Sequence, residues 1–208
     1  MPDSLDLIAQ EIASCTKCPL HQGRTNTVPG EGPATSDIML IGEGPGFYED
    51  QSGRPFVGAS GRFLEELLQG IGLSREMVFI GNVVKCRPPE NRDPAADEIA
   101  ACKAYLDRQI ETIDPKVIVT LGRFSMARWF PKARISKIHG QPRRFGSRLV
   151  VPMYHPAAGL RSPKVKEEIV LDFNQLPALI DQVKSWGEPP QDDAEDPDSD
   201  DPVQLSLF

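Results

Sequence analysis

Four short apolar runs punctuate the chain: Asp37–Gly42 (DIMLIG), Met77–Lys85 (MVFIGNVVK), Lys116–Gly122 (KVIVTLG) and Arg148–His155 (RLVVPMYH). Each is rich in β-branched residues and continuous rather than alternating, the pattern of strands covered on both faces. Between them, apolar positions recur at helical spacing. Gly61–Gly70 carries Phe63, Leu64, Leu67 and Leu68 on one face. Asp97–Ile113 carries Ile99, Cys102, Tyr105, Leu106, Ile110 and Ile113 in the same 3–4 rhythm. Lys166–Ser185 is a last helix, kinked or split at Pro177. This alternation predicts an α/β fold of three layers, α/β/α, around a central, mainly parallel, four-stranded sheet.

The pattern stops at Glu188. The stretch EPPQDDAEDPDSDDP is acidic, proline-rich and without a large apolar residue. Such a segment buries too little surface to order itself. The chain therefore divides into a body, residues 1–187, a disordered acidic linker, 188–203, and an apolar terminal peptide, 204–208 (QLSLF). This division changes the meaning of the net charge, which is −7. Eight acidic residues lie between Glu188 and Asp201, so the remainder stands near +1. Between Asp114 and Glu167 there is no acidic residue but 12 Lys and Arg. That stretch suits either a polyanionic partner or a solvated basic face. No run of eighteen apolar residues exists, which excludes a membrane-spanning helix, and Met1–Gln10 has no signal-peptide pattern. The expected compartment is the cytoplasm.

There are four cysteines, Cys15, Cys18, Cys86 and Cys102. In a reducing compartment disulfides are disfavoured. Four thiolates suffice for a tetrahedral metal site or a [4Fe–4S] cluster, and the C-x2-C pair lets two sulfurs reach one centre from a tight turn. Spacing does not choose zinc over iron–sulfur, although the uneven second pair leans toward a cluster. Unrelated buried cysteines are the other reading.

In open α/β sheets, ligands bind beyond the carboxyl ends of the strands. Here those ends deliver Gly42-Glu43-Gly44-Pro45-Gly46, Asn82, Gly122, and His155-Pro156. The glycine-rich turn lacks the Lys-Ser/Thr of a phosphate loop and does not fit GxGxxG. Asn82 interrupts an apolar strand, where a side-chain amide needs a partner. Phe56 sits in the glycine-flanked loop Gly53–Gly58. Singly, each also has a structural reading: an ordinary turn, a structural hydrogen bond, a strand-ending histidine, a loop anchor. Their convergence on four strand ends favours a site.

CTKCPL with GRT downstream, GEGPG, SGRPFVGASG, GNVVKCRPPENRDP, VTLGRFS and MYHPAA occur in this order along about Leu7–Leu179. In this combination the sequence resembles the type 4 uracil-DNA glycosylases. The resemblance implies a monofunctional DNA glycosylase that flips uracil from DNA and hydrolyses its N-glycosidic bond, initiating base excision repair. It implies a [4Fe–4S] cluster on Cys15, Cys18, Cys86 and Cys102, joining the N-terminal segment to the body, with zinc as the alternative. Glu43 and His155 fall on the two catalytic motifs, with Gly42 and Gly44 in the turn. Phe56 falls on the aromatic that stacks on the extruded base and Asn82 on the residue reading its edge. Glu49 falls near the position proposed to crowd the thymine methyl. Lys137, His139, Arg143, Arg144 and Arg161 are the expected DNA contacts, a monomer is the expected state, and the nucleoid the expected place of work.

One departure bears on the outcome. RISKIHGQPRR (134–144) carries His139 in an Ile-His setting similar to that of a related branch, uracil-binding proteins that link covalently to DNA. That branch has Gln where Gly44 stands and a longer basic insertion, so turnover is the main expectation and a covalent or very tight complex through His139 the alternative. A non-catalytic damaged-DNA binder, a zinc-dependent nucleotide-binding protein and a glycosylase for hypoxanthine or xanthine are the other readings. The terminal QLSLF resembles the bacterial sliding-clamp-binding pentapeptide, with Gln204, Leu205, Leu207 and Phe208 as its anchors and the acidic linker as its tether.

Overall fold

The computed structural model describes residues 3–186. The linker and terminal peptide expected over 188–208 lie outside them.

The described chain runs α1 (Leu5–Ala13), β1 (Ile38–Gly42), α2 (Phe47–Ser52), α3 (Ala59–Gly70), β2 (Phe79–Asn82), α4 (Ala96–Ile113), β3 (Val117–Leu121), α5 (Arg123–Met126), α6 (Ile135–Ile138), β4 (Arg143–Phe145), β5 (Arg148–Met153), α7 (Pro156–Gly159), α8 (Pro163–Asn174) and α9 (Leu176–Lys184). The strands form one sheet in the order β2-β1-β3-β5-β4. The first four are parallel, and β4 is antiparallel to β5. The four expected strands are thus all present, and the sheet is corrected to five. The added strand is a short hairpin edge, exposed along its length, and it lacks the apolar run that reveals a buried strand. The second run is also shorter than its apolar pattern. Arg75–Met77 forms a 3₁₀ turn, and pairing as a strand ends at Asn82.

Alternate residues of each strand feed two cores, one on each face of the sheet. Leu40, Val119 and Val151 pack with Phe63, Leu64, Leu67 and Leu68 of α3 and with Ile169 and Phe173 of α8. Met39, Ile41, Ile118 and Val150 pack with Leu106, Ile110 and Ile113 of α4. These are the three expected layers. A smaller cluster joins Ile8 and Ile12 of α1 to Tyr105 of α4, with Cys15 and Cys102 against it.

Helix ends follow their sequence chemistry. Ser4 Oγ accepts from Leu7 N at 3.2 Å to start α1. Glu98 folds back to accept from Ala95 N at 2.7 Å and start α4. The C-terminal helix breaks at Gln175, with Pro177 in the first turn of α9. A proline there has no N–H to donate and its ring would strike the carbonyl four residues back, so one helix becomes two. Among the described residues no helix is long and apolar enough to cross a membrane.

Candidate active site

The parallel register sets Gly42 beside Asn82 at the ends of β1 and β2. A Cβ added to Gly42 would lie 2.4 Å from Asn82 Oδ1 and 2.6 Å from Phe56 Cζ. Only glycine therefore leaves room where the amide and the ring meet. Asn82 is 2% exposed, and its Oδ1 is buried without a hydrogen-bond partner. An orphaned acceptor of this kind costs about 1–3 kcal/mol, so a site that keeps one has a use for it.

Phe56 is held in a strained backbone conformation, φ 52°, which persists only where its surroundings over-determine it. Three features do so. Arg75 donates to the carbonyls of Pro55 (2.7 Å) and Phe56 (2.9 Å). Glu49 Oε1 accepts from Val57 N and Gly58 N, both at 2.9 Å. Gly61 has no side chain where a Cβ would stand 1.9 Å from the Phe56 carbonyl oxygen. The other carboxylate oxygen of Glu49 accepts from Gly46 N at 3.1 Å. Glu49 thus ties the GEGPG turn to the Phe56 loop, a role its sequence position did not announce.

The Phe56 ring stacks on His155, with centroids 5.5 Å apart and planes 26° from parallel. The histidine caps α7, its Nδ1 accepting from Ala157 N at 3.1 Å. That bond puts the ring proton on Nε2. Burial pushes the imidazole down to about 4, with Glu49 opposing the shift and Arg161 adding to it. The ring is therefore a neutral Nε2–H donor at physiological pH. Gly122 lies against it at the end of β3. Glu43 follows Gly42 and is half-buried, and its backbone carbonyl accepts from Val84 N at 3.1 Å. Burial raises its carboxyl above the ordinary glutamate value, Asp93 adds to the rise, and Arg123 opposes it. Gly44 lies against Val84.

The structure thus brings Gly42, Phe56, Asn82 and His155 together, with Glu43 and Gly44 in the adjoining turn. It does not bring in all of the expected DNA contacts. Arg143 and Arg144 sit on β4, where Arg143 pairs in register with Val150. His155 lies five residues further along that strand direction, about 16 Å away at strand rise. Arg143 lies over the Phe130 ring and Arg144 over Trp186. Lys137 and Arg161 are exposed. His139 Nδ1 pairs with Asp172 Oδ2 at 2.9 Å, and its ring lies 4.6 Å from Tyr154, centroid to centroid.

All four cysteines line one pocket, together with Lys17, His21, Arg24 and Lys85 and without any carboxylate. Among the described residues no three His, Cys, Asp or Glu side chains converge closely enough for a single metal ion. Burial raises Cys18 and Cys86 above the ordinary thiol range and pushes Cys102 up to about 11. A lining of cations around buried thiols suits an anionic guest held by thiolates. Arg24 donates to Cys86 Sγ at 3.2 Å and to Cys15 O at 2.8 Å.

Sequence reading missed Lys85. It is 1% exposed. Its Nζ donates to the Asn82 carbonyl at 2.9 Å and to Gln109 Oε1 at 2.6 Å. Burial lowers its ammonium to about 8. One fully buried lysine thus connects the cysteine pocket to the strand end carrying Asn82. The signal was a lysine closing an apolar run, which reads equally well as a strand's polar end.

A model of the uracil DNA glycosylase superfamily matches residues 29–176. The chain belongs to this superfamily. It is 50% identical over 187 residues to the type-4 uracil-DNA glycosylase of Sulfurisphaera tokodaii, covering 85% of each chain. It is 47% identical to the type-4 enzymes of Archaeoglobus fulgidus and Thermotoga maritima, covering 85% of this chain and 94% of each of theirs. The superfamily match spans Glu43, Phe56, Asn82 and His155, and the alignment with each relative is longer than that match.

The Phe56 loop gives a direct test of this geometry. Gly61→Ala is expected to destabilise the protein by about 3 kcal/mol, because the new methyl meets backbone that has nowhere to move. Urea unfolding of the purified variant measures it.

Proposed function

We propose that the chain hydrolyses the N-glycosidic bond of uracil in DNA, as a monofunctional glycosylase that starts base excision repair on the chromosome, in the cytoplasm. The observation that carries this reading is the buried, unpartnered Asn82 Oδ1, which lies with the Phe56 ring against Gly42. A base inside a duplex is out of reach, so it meets these groups by flipping out. The Phe56 face holds it by stacking. Asn82 Oδ1 accepts from uracil N3–H, and the amide nitrogen donates to O4. Cytosine presents an acceptor at N3 and a donor at its amino group, so a fixed Asn82 rejects it.

Cleavage breaks the bond between C1′ and N1. The electron pair leaves with uracil, whose negative charge spreads to O2, and positive charge builds on the sugar. His155 Nε2–H, neutral and pre-aimed, stabilises the anion without proton transfer. Glu43, ionised, stabilises the cationic sugar and takes the proton of the water that adds to C1′. The uracil anion takes a proton from solvent, Glu43 returns its proton to solvent, and the products are free uracil and an abasic site. Glu49, whose carboxylate already accepts three backbone amides, shapes the pocket wall beside which a thymine methyl would have to pass.

Cys15, Cys18, Cys86 and Cys102 would hold a [4Fe–4S] cluster. Their all-thiol donor set in one cation-lined pocket without a carboxylate supports this reading, with zinc as the alternative. When bound, the cluster supplies a cross-link between the N-terminal segment and α4. Lys85 carries that restraint to Asn82. Lys137 and Arg161, exposed on the body, support DNA contact, and the protein acts as a monomer.

Incubation with oligonucleotides bearing uracil, hypoxanthine or a thymine mismatch, followed by alkali, tests the reaction. Strand breaks are expected at uracil, and their absence would sink the proposal. Glu43→Gln and His155→Ala are each expected to lower kcat by about 10²–10³-fold while sparing DNA binding. The pH profile separates the two roles. Glu43 must be ionised and burial raises its pKa, so kcat/KM falls on an acid limb that lies above the range of an ordinary glutamate, while His155 stays neutral down to about 4. His155→Ala keeps that limb in its residual activity, and Glu43→Gln loses it.

For the cysteine pocket, the purified protein is expected to be brown and to contain iron, and Cys102→Ser to lose the colour and to melt at a lower Tm. A colourless protein carrying zinc would decide for the alternative. For the terminus, deletion of Gln204–Phe208 is expected to abolish binding to the sliding clamp and to leave uracil release from short oligonucleotides intact. Equal clamp binding by the truncated protein would remove that part of the proposal.

A further inference from the structure

α2 reverses the usual order of a surface helix. Its aromatic residues face water and its acidic residues are buried. Phe47 is 49% exposed and Tyr48 65%, whereas Glu49 and Asp50 are 8% and 2% exposed. The two carboxylates fix the helix from beneath, Glu49 through Gly46, Val57 and Gly58, and Asp50 through Thr25 N at 2.9 Å. The rings are thereby held outward on a rigid base. They meet edge to face with centroids 5.5 Å apart. Arg87 lies over the Phe47 ring, 5.2 Å from its centre, and its Nε donates to Asn91 Oδ1 at 2.7 Å. Asn91 and its neighbour Glu90 are both held at positive φ, 54° and 55°. Strain in two successive non-glycine residues, one of which fixes an arginine on a ring, marks a functional surface more than a packing need.

This cluster borders the base pocket on two sides. Tyr48 Cδ2 lies within 3.4 Å of where a Gly58 Cβ would stand, two residues from Phe56. Pro88, next to Arg87, lies within 3.8 Å of the corresponding point at Gly44, next to Glu43. A flipped uracil reaching Phe56 and Glu43 must bring its neighbouring nucleotides across this rim. Exposed rings with a fixed guanidinium present what an unpaired nucleotide needs: a stacking face and a cation near its phosphate.

We infer that Tyr48, with Phe47 and Arg87 beside it, is a stacking platform for the nucleobase that neighbours the extruded uracil. The inference rests on the uracil-releasing reading of the site. The base stacks on the Tyr48 ring, and Arg87 neutralises the adjoining phosphate. Neither residue takes part in breaking the glycosidic bond.

The experiment compares the full-length protein with Tyr48→Ala and Tyr48→Trp. The substrates are single-stranded oligonucleotides with one uracil, flanked either by normal nucleotides or by abasic analogues on each side in turn. Tyr48→Ala is expected to raise KM on the normal oligonucleotide about tenfold, within the roughly five- to 150-fold range of one base–aromatic stack, and Tyr48→Trp to restore it. The loss falls on KM rather than kcat. Removing the stacked neighbour's base raises KM for the full-length protein and adds nothing for Tyr48→Ala. A KM for Tyr48→Ala within about twofold of the unaltered protein, or a loss of equal size with and without flanking bases, overturns the platform. If the unaltered protein releases no uracil, the reading of the site fails instead, and Kd values from fluorescence anisotropy of the same oligonucleotides decide the platform by the same pattern.

Discussion

The carboxylate of Glu49 is the interaction on which the site's shape depends. Its two oxygens accept from Gly46, Val57 and Gly58, and the three amides belong to two separate loops. Without it the turn bearing Glu43 and the loop bearing Phe56 would each find their own position. With it, the aromatic face and the acid move as one body. Charge-assisted bonds to backbone amides are roughly twice as strong as neutral ones, and they act here where Phe56 stores backbone strain. Arg75 and Gly61 complete the clamp from the other side.

The second organising element is electrical. His155 is kept uncharged by burial, and a backbone amide fixes its tautomer. A neutral donor stabilises a developing anion without setting a permanent cation against the positive charge that builds on the sugar. Glu43, with its carboxyl raised by burial, supplies negative charge in the turn. In the proposed reaction the pair divides the work: one side of the scissile bond gains positive charge and the other negative, and each would meet a group suited to it. The basic balance of the body, hidden in the composition by the eight acidic residues that follow Gly187, leaves the approach open to a polyanion.

Much of this arrangement was legible in the sequence because it is carried by periodic patterns. Buried parallel strands must be apolar on both faces, so Ile38–Gly42 and Val117–Leu121 appear within a residue of where the runs placed them. Strand ends then locate Glu43, Asn82 and His155 by topology. What stayed hidden has no pattern of its own. β4 is short and exposed, and its arginines read as a basic loop until the hairpin moves them toward the other end of the sheet. Glu49 falls by resemblance near the thymine-crowding position, and nothing in the sequence shows that its carboxylate is the hub of two loops. Lys85 reads as a strand's polar end, although it is fully buried and bonded to Asn82. Each of these depends on a partner distant in the chain, and hydrophobic spacing reports on faces, not on partners.

The cysteine pocket ties the earliest part of the chain to a helix synthesised much later. Cys15 and Cys18 emerge first, and α1 can settle against Tyr105 only after α4 exists. Until then the leading segment has no surface to dock on, and its thiols are open to oxidation or to the wrong ion. Arg24, carried by that segment, donates to the Cys15 carbonyl and to Cys86 Sγ and so joins it to the later part of the chain. The segment bearing Cys15 and Cys18 therefore reaches its place only once α4 has formed, and a cluster held as proposed would then fasten two parts of the fold that lie some ninety residues apart.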